Sequence, residues 1–257
     1  MADFDELDDD WVEKLFGDLD LEDDDDDDDD HDSDHDDDDY GDLDDDLLEG
    51  HDSDDDLYGG IGSDLLYGRD GDDDLYGEDD DDILYGNIGA DHLHGDDGLD
   101  ILYGGQNDDV ALGGNGDDRI YGNLGDDSLD GGAGNDWIHG GKDSDTINGG
   151  DGNDVLNGGR HDDQLTGGAG ADTFVFAGQS GRDTIIDFDP DGGDVIAWDP
   201  IDVEGDADDG PESVQELLSR ISATENGDAV ISLGGDNTVT LIGVAPSELS
   251  ASDFAII

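Results

Sequence analysis

From Gly41 to Val175 the chain repeats every nine residues without an insertion, fifteen times in phase. Glycine holds position one in all fifteen repeats, aspartate holds position six in all fifteen, and position eight is Leu, Ile or Phe in fourteen, with Ala111 the exception. A period kept this strictly marks a solenoid, in which each unit stacks on its neighbours and none folds alone.

Each position has a physical reading. Glycine at position one, usually again at two and four, lets the backbone take positive φ and turn where a Cβ would clash. The closing triplet is a short strand whose middle side chain points to one face and whose neighbours point to the other. Two turn-strand units make a coil of eighteen residues, and such coils stack about 4.8 Å apart into two parallel sheets. The expected fold is therefore all-β: a parallel β-roll, a right-handed two-sheet solenoid, with Leu57, Leu66, Leu75, Leu84 and their successors facing inward.

Charge decides what such a roll needs. The 257 residues include 80 acidic and 7 basic side chains, a formal net charge of -73. Self-repulsion on this scale opposes any compact state unless cations intervene, and it makes nucleic acid and anionic membranes poor partners. Low hydrophobicity with extreme charge predicts a disordered bare chain. Seventy of the acids are aspartate and ten glutamate, and short-armed carboxylates in that excess suit oxygen ligation of a hard cation.

Turns in one row lie two repeats apart, so the position-six carboxylate of one turn and backbone carbonyls of its stacked neighbour can converge on one ion. Calcium accepts about six to eight such oxygens in flexible geometry, whereas magnesium holds its waters too tightly to fit as well. The candidate side-chain ligands are Asp64, Asp73, Asp82, Asp91, Asp100, Asp109, Asp118, Asp127, Asp136, Asp145, Asp154, Asp163 and Asp172. Carbonyls at positions two and four are the expected remainder, as at Gly60, Gly62, Gly114, Gly116, Gly132, Gly134, Gly150, Gly152, Gly168 and Gly170. A site that exists only in the folded chain turns binding free energy into folding free energy.

The nonapeptide resembles the G-G-x-G-x-D-x-U-x unit of RTX (repeats-in-toxin) proteins, a calcium-binding β-helix repeat, and "GGAGNDWIH" (131–139), "GGDGNDVLN" (149–157) and "GGAGADTFV" (167–175) match it throughout. The resemblance implies a β-roll that fills with calcium outside the cell. Asp42, Asp44, His51, Ser53, Glu78, Asp80 and His161 depart from the glycine pattern at positions two and four, so weaker or absent sites are expected in the first two repeats.

Past Val175 the nine-residue period stops. "DTIIDFDPDGGDVIAW" (183–198) reads as two strands round an acidic turn, "PESVQELLSRIS" (211–222) has helical apolar spacing behind a proline, and "DAVISLGGDNTVTLIGV" (228–244) reads as a hairpin. Residues 176–257 are thus expected to be a small β-rich capping domain with one helix. They are similar to the carboxy-terminal domain of type I secretion substrates, and "SDFAII" resembles the acid-then-apolar terminus of those proteins. That resemblance implies a type I exporter as partner and an extracellular destination. It agrees with the start "MADFDELDDD", which has neither the basic nor the apolar region of a secretory signal peptide, and with the lack of any apolar run near the roughly 20 residues of a membrane span.

Ahead of the repeats, Phe4, Leu7, Trp11 and Leu15 fall on one face of an expected acidic amphipathic helix, residues 1–22. Residues 23–40 form an Asp-rich linker, expected to be disordered. The outward positions of the odd-numbered repeats carry Leu65 with Tyr67, Ile83 with Tyr85, Ile101 with Tyr103, and Tyr121, so one sheet is expected to show an apolar outer face and the other a mostly polar one. That apolar face is either a strand-stabilising ladder or a docking surface for the amino-terminal helix, an extracellular glycan or a second copy. His92 and His94 are outward strand residues by default and a transition-metal pair as the alternative. Cysteine is absent, and no metalloprotease, nucleophile-elbow or phosphate-loop motif occurs. The function expected is a non-enzymatic, secreted calcium-binding protein. An adhesin or matrix component, or an accessory module of a secreted enzyme similar to the repeat modules of polysaccharide epimerases, is the alternative.

Overall fold

The computed structural model describes residues 38–41, 43–199 and 210–257. The expected helix over 1–22 and the linker up to residue 37 lie outside the described residues. Among the described residues, the first eighteen strands in chain order alternate between two sheets as the eighteen-residue coil requires; Ile221–Ala223, Ala229–Gly234 and Asn237–Leu241 complete the first as a sheet of twelve, and Phe254–Ile256 completes the second as a sheet of ten. Neighbours within the repeats pair in parallel at a spacing of two repeats, for example Leu57 beside Leu75 and Leu66 beside Leu84.

The strands are longer than the expected triplet. Asp56–Ile61, Leu65–Asp70 and their successors each run six residues, from position seven through position three of the next repeat. Every position-eight side chain from Leu57 to Phe174 is at most 2% exposed, Ala111 included. Leu48, in the first rung, is only half-buried. At about 2 kcal/mol per fully buried aliphatic side chain, this single file is the roll's main apolar stabilisation.

Turn geometry explains the glycines and their replacements. Gly132 and Gly134, at positions two and four, have φ of +96° and +145°. Arg69, Glu78, Asn87 and Asp96 at position two, and Asp80, Asn107, Asp143 and His161 at position four, are held at φ between +69° and +83°. Left-handed backbone costs an ordinary residue roughly 1–2 kcal/mol, so the stack imposes the turn on residues that would not choose it. Asp44, His51 and Ser53, in the first two repeats, do not take positive φ.

Both sheets run on past Val175. After a two-residue insert, Phe176 and Ala177, the strand Arg182–Ile185 pairs in parallel with Gln164–Ala169 and places Ile185 beside Leu165. After a second insert, Asp187 and Phe188, the strand Val195–Trp198 places Ile196 beside Phe174. Phe176 and Phe188 are buried, and the Phe174 and Phe188 rings lie 6.0 Å apart. Each insert therefore feeds a phenylalanine into the end of the core.

The hairpin Ala229–Gly234 with Asn237–Leu241 forms where expected, and its second strand pairs in parallel with Arg182–Ile185. The strand Phe254–Ile256 closes the other sheet against Val195–Trp198. The helix is six residues, Val214–Ser219, with Ser213 accepting the Glu216 backbone N–H at 3.3 Å and Leu217 buried. Among the described residues no helix is long and apolar enough to cross a membrane.

Candidate metal centres

Fourteen position-six aspartates, Asp55 to Asp172, are at most 3% exposed. Burying a carboxylate without a partner is costly, and each of these is only half satisfied. The Oδ1 of Asp136 accepts the backbone N–H of Asp118, one coil earlier, at 2.8 Å. The same bond recurs along both rows, from Asp46 N–H to Asp64 through Asp154 N–H to Asp172. The Oδ2 atoms of Asp73 through Asp172 are buried with no hydrogen-bond partner.

Those orphaned oxygens face a gap that glycine keeps open. A Cβ built on Gly131, at position one, would lie 2.3 Å from Asp136 Oδ2 and 2.6 Å from the Gly149 carbonyl of the next coil. One on Gly150 would lie 2.1 Å from the Gly132 carbonyl, and one on Gly152 would lie 1.5 Å from that of Gly134. The carboxylate oxygen of one turn and the position-one carbonyl of the next coil thus flank the same position-one glycine, and the position-two and position-four carbonyls face the matching glycines of the next coil. These are hard, oxygen-only donors, mostly backbone, of the kind calcium takes. Among the described residues no three acidic or histidine side chains converge, as expected of turns that each contribute one carboxylate.

The electrostatics point the same way. Burial pushes the carboxyls of Asp82, Asp109 and Asp145 up to about 8, those of Asp91 and Asp163 to about 7, and those of Asp118, Asp136 and Asp154 to about 6. The backbone N–H from the coil behind opposes this, and neighbouring aspartates mostly reinforce it. At neutral pH each site prefers a positive charge, proton or metal, in the gap.

The position-one carbonyl is not among the donors expected from the sequence. Its signal was present: position one is glycine in every repeat, whereas positions two and four accept Asp, His and Ser. The buried aspartates also extend beyond Asp172, the last one expected. Asp183 and Asp194 are buried as well, and their Oδ1 atoms accept the N–H groups of Asp163 and Asp172 at 3.1 and 3.0 Å.

The outer faces differ from expectation in one respect. Leu65, Ile83 and Ile101 share one sheet face with Tyr67, Tyr85, Tyr103 and Tyr121, whose rings stack at 4.7–4.9 Å and end on a tilted Trp137. The sheet expected to be mostly polar carries a second stack, Tyr40, Tyr58, Tyr76 and His94, at 4.7–4.8 Å. The cause is the shared register: position nine meets position nine on every rung of either sheet. Rings stacked within 12° of parallel cover one another's faces and show solvent their edges. His92 Nδ1 lies 2.7 Å from Asp74 Oδ1 in an exposed pair.

A family model described as the RTX calcium-binding nonapeptide repeat (4 copies) matches in overlapping segments from residue 33 to residue 174, more than half of the chain. Among solved structures, the extracellular lipase LipA from Serratia marcescens is similar at 23% identity with a TM-score of 0.29, over 80% of this chain and 38% of the lipase. The AlgE6R3 subunit of the Azotobacter vinelandii mannuronan C5-epimerase is similar at 26% identity with a TM-score of 0.21, over 70% of this chain and 80% of that subunit. The chain therefore spans little more than a third of the lipase's length. No curated protein matches the sequence. With an in-phase nonapeptide array, two sheets of parallel repeat strands and a buried half-satisfied aspartate in fourteen of the fifteen repeats, this chain belongs to the family of RTX calcium-binding nonapeptide-repeat proteins.

Proposed function

We propose that this is a secreted calcium-binding protein without enzymatic activity of its own, whose roll forms when calcium enters the turns after export. The observation that carries the reading is the row of buried, unpartnered Oδ2 atoms from Asp73 to Asp172. When bound, calcium supplies the positive charge that lets stacked carboxylates stay ionised away from water. The chain's own part is to hold the acceptors. Position-six aspartates offer Oδ2, positions one, two and four offer carbonyls, and glycine leaves the gap unfilled.

Export follows from the same physics. In cytosol poor in calcium the chain remains extended enough for a type I exporter, and outside the cell calcium at roughly millimolar levels suits sites in the extracellular affinity range. Residues 176–257 serve as cap and export signal. The test is co-expression with a type I exporter. Full-length chain is expected in the medium, and chain lacking residues 248–257 is expected in the cytosol. Small-angle scattering of the exported protein with calcium and after chelation completes it. Equal radii of gyration in the two conditions would refute folding on calcium, and export independent of the exporter would refute the route.

A further inference from the structure

The turn that follows the first insert is a sixteenth repeat, shifted out of phase by two residues. Residues 178–186, "GQSGRDTII", read G-x-x-G-x-D-x-U-x, and the backbone agrees position by position. Gln179, at position two, has φ of +69°, and Gly181, at position four, has +92°. A Cβ on Gly181 would lie 2.0 Å from the carbonyl of His161, the position-four residue of the turn beneath. The Arg182 N–H donates to Asp162, position five to position five, at 2.9 Å. Asp183 at position six takes the Asp163 N–H on Oδ1, and Ile185 at position eight is fully buried.

Two side chains of this turn are buried polar groups. Asp183 is 1% exposed and its Oδ2 has no hydrogen-bond partner. Ser180, at position three, is 3% exposed, whereas Asp151, Asp97 and Leu124 at that position are exposed. Its Oγ lies beside the Asp183 carboxyl, where the hydroxyl opposes the upward push of burial. Both groups are enclosed where the roll meets the hairpin: Asn237 Oδ1 accepts the Gly181 N–H at 3.0 Å, and the Thr238 N–H donates to the Gly181 carbonyl at 2.9 Å. The seventeenth turn shows the contrast. There Asp194 Oδ2 accepts the Asp189 N–H at 2.7 Å, so that carboxylate is satisfied by the protein itself.

We propose that Asp183 Oδ2 and Ser180 Oγ are ligands of a calcium site beyond the in-phase repeats, at the junction of roll and cap. The inference rests on the calcium-binding reading above and adds a ligand pair, a carboxylate with a side-chain hydroxyl, that the nonapeptides do not use. Occupancy there ties the hairpin to the last turns of the roll, so calcium fixes the cap as well as the coils.

The experiment counts calcium ions on the full chain by isothermal titration and native mass spectrometry. Wild type is compared with Asp183→Asn and with Asp136→Asn as a control inside the in-phase array, with folding checked by circular dichroism in saturating calcium. Each variant is expected to bind one ion fewer than wild type. A folded Asp183→Asn protein with the wild-type count overturns the site while leaving the general reading intact. A wild type that binds no calcium overturns the reading itself and this site with it. Should Asp183→Asn fail to fold, Ser180→Ala carries the test. It keeps every carboxylate and is expected to weaken one ion by about tenfold, on the scale of removing a partner from a metal site, and an unchanged isotherm overturns the proposal.

Discussion

Protons and calcium compete for the same gaps, so the metal-free roll should be rescued by acid. The perturbation is to remove calcium with a chelator and lower the pH from 7.5 to 5. In the folded chain burial lifts the carboxyls of Asp118, Asp136 and Asp154 from 3.8 to about 6, and those of Asp82, Asp109 and Asp145 to about 8. A carboxyl raised on folding stabilises the fold fully below its unfolded value, and this is lost as pH rises through the folded value. The window therefore runs from about 4 to about 8. Going from pH 7.5 to pH 5 restores about 1.4 kcal/mol for each group that titrates near 6 and about 3 kcal/mol for each near 8. Summed over rows of buried aspartates, this rivals the whole stability of an ordinary domain, about 5–15 kcal/mol. The assay is far-UV circular dichroism against pH in chelator, with near-UV signal from the stacked tyrosines as a second probe. Strand signal that grows on acidification supports the account, with calcium binding at pH 6 releasing protons. A chelated chain equally unordered at pH 5 and 7.5, with calcium affinity independent of pH, would refute it.

The other predictions are local. Gly131→Ala puts a methyl 2.3 Å from Asp136 Oδ2; it is expected to remove one ion from the calcium count, and a full count would show that the position-one gap is not the site. Phe176→Ala, at the first insert, leaves a cavity at the end of the core and should cost about 3–5 kcal/mol in urea unfolding with calcium present, whereas a loss below about 1 kcal/mol would mean that the insert does not seal the roll. Tyr103→Ser breaks a stack whose rings pack on both faces. It should lower stability by about 1 kcal/mol per lost ring pair without changing the number of ions bound, and a changed count would couple the ladder to the turns.

How much of this was legible in the sequence depends on phase. Asp64 to Asp172 and Leu57 to Phe174 could be placed because side-chain direction follows from period alone, and the structure buries them all. The turn 178–186 escaped because the two residues Phe176 and Ala177 shift the pattern, and a search for one unbroken register cannot see past an insert whose purpose is to plug the core. The position-one carbonyl was missed for a different reason. Glycine there was read for backbone freedom, while the structure shows that it also leaves room for a neighbour's oxygens. The second aromatic stack is hidden in the sequence because Tyr58 and Tyr76 stand beside the acidic position-seven residues Asp56 and Asp74, although identical register on every rung makes a ladder of any ring at position nine.

Cohesion of these carboxylates through divalent ions is read from far-UV circular dichroism during a calcium titration at pH 7.5, with magnesium in parallel. An unordered spectrum in chelator, a cooperative rise of strand signal with calcium and little response to magnesium are expected. A strand-rich spectrum that survives exhaustive chelation at low salt would contradict it.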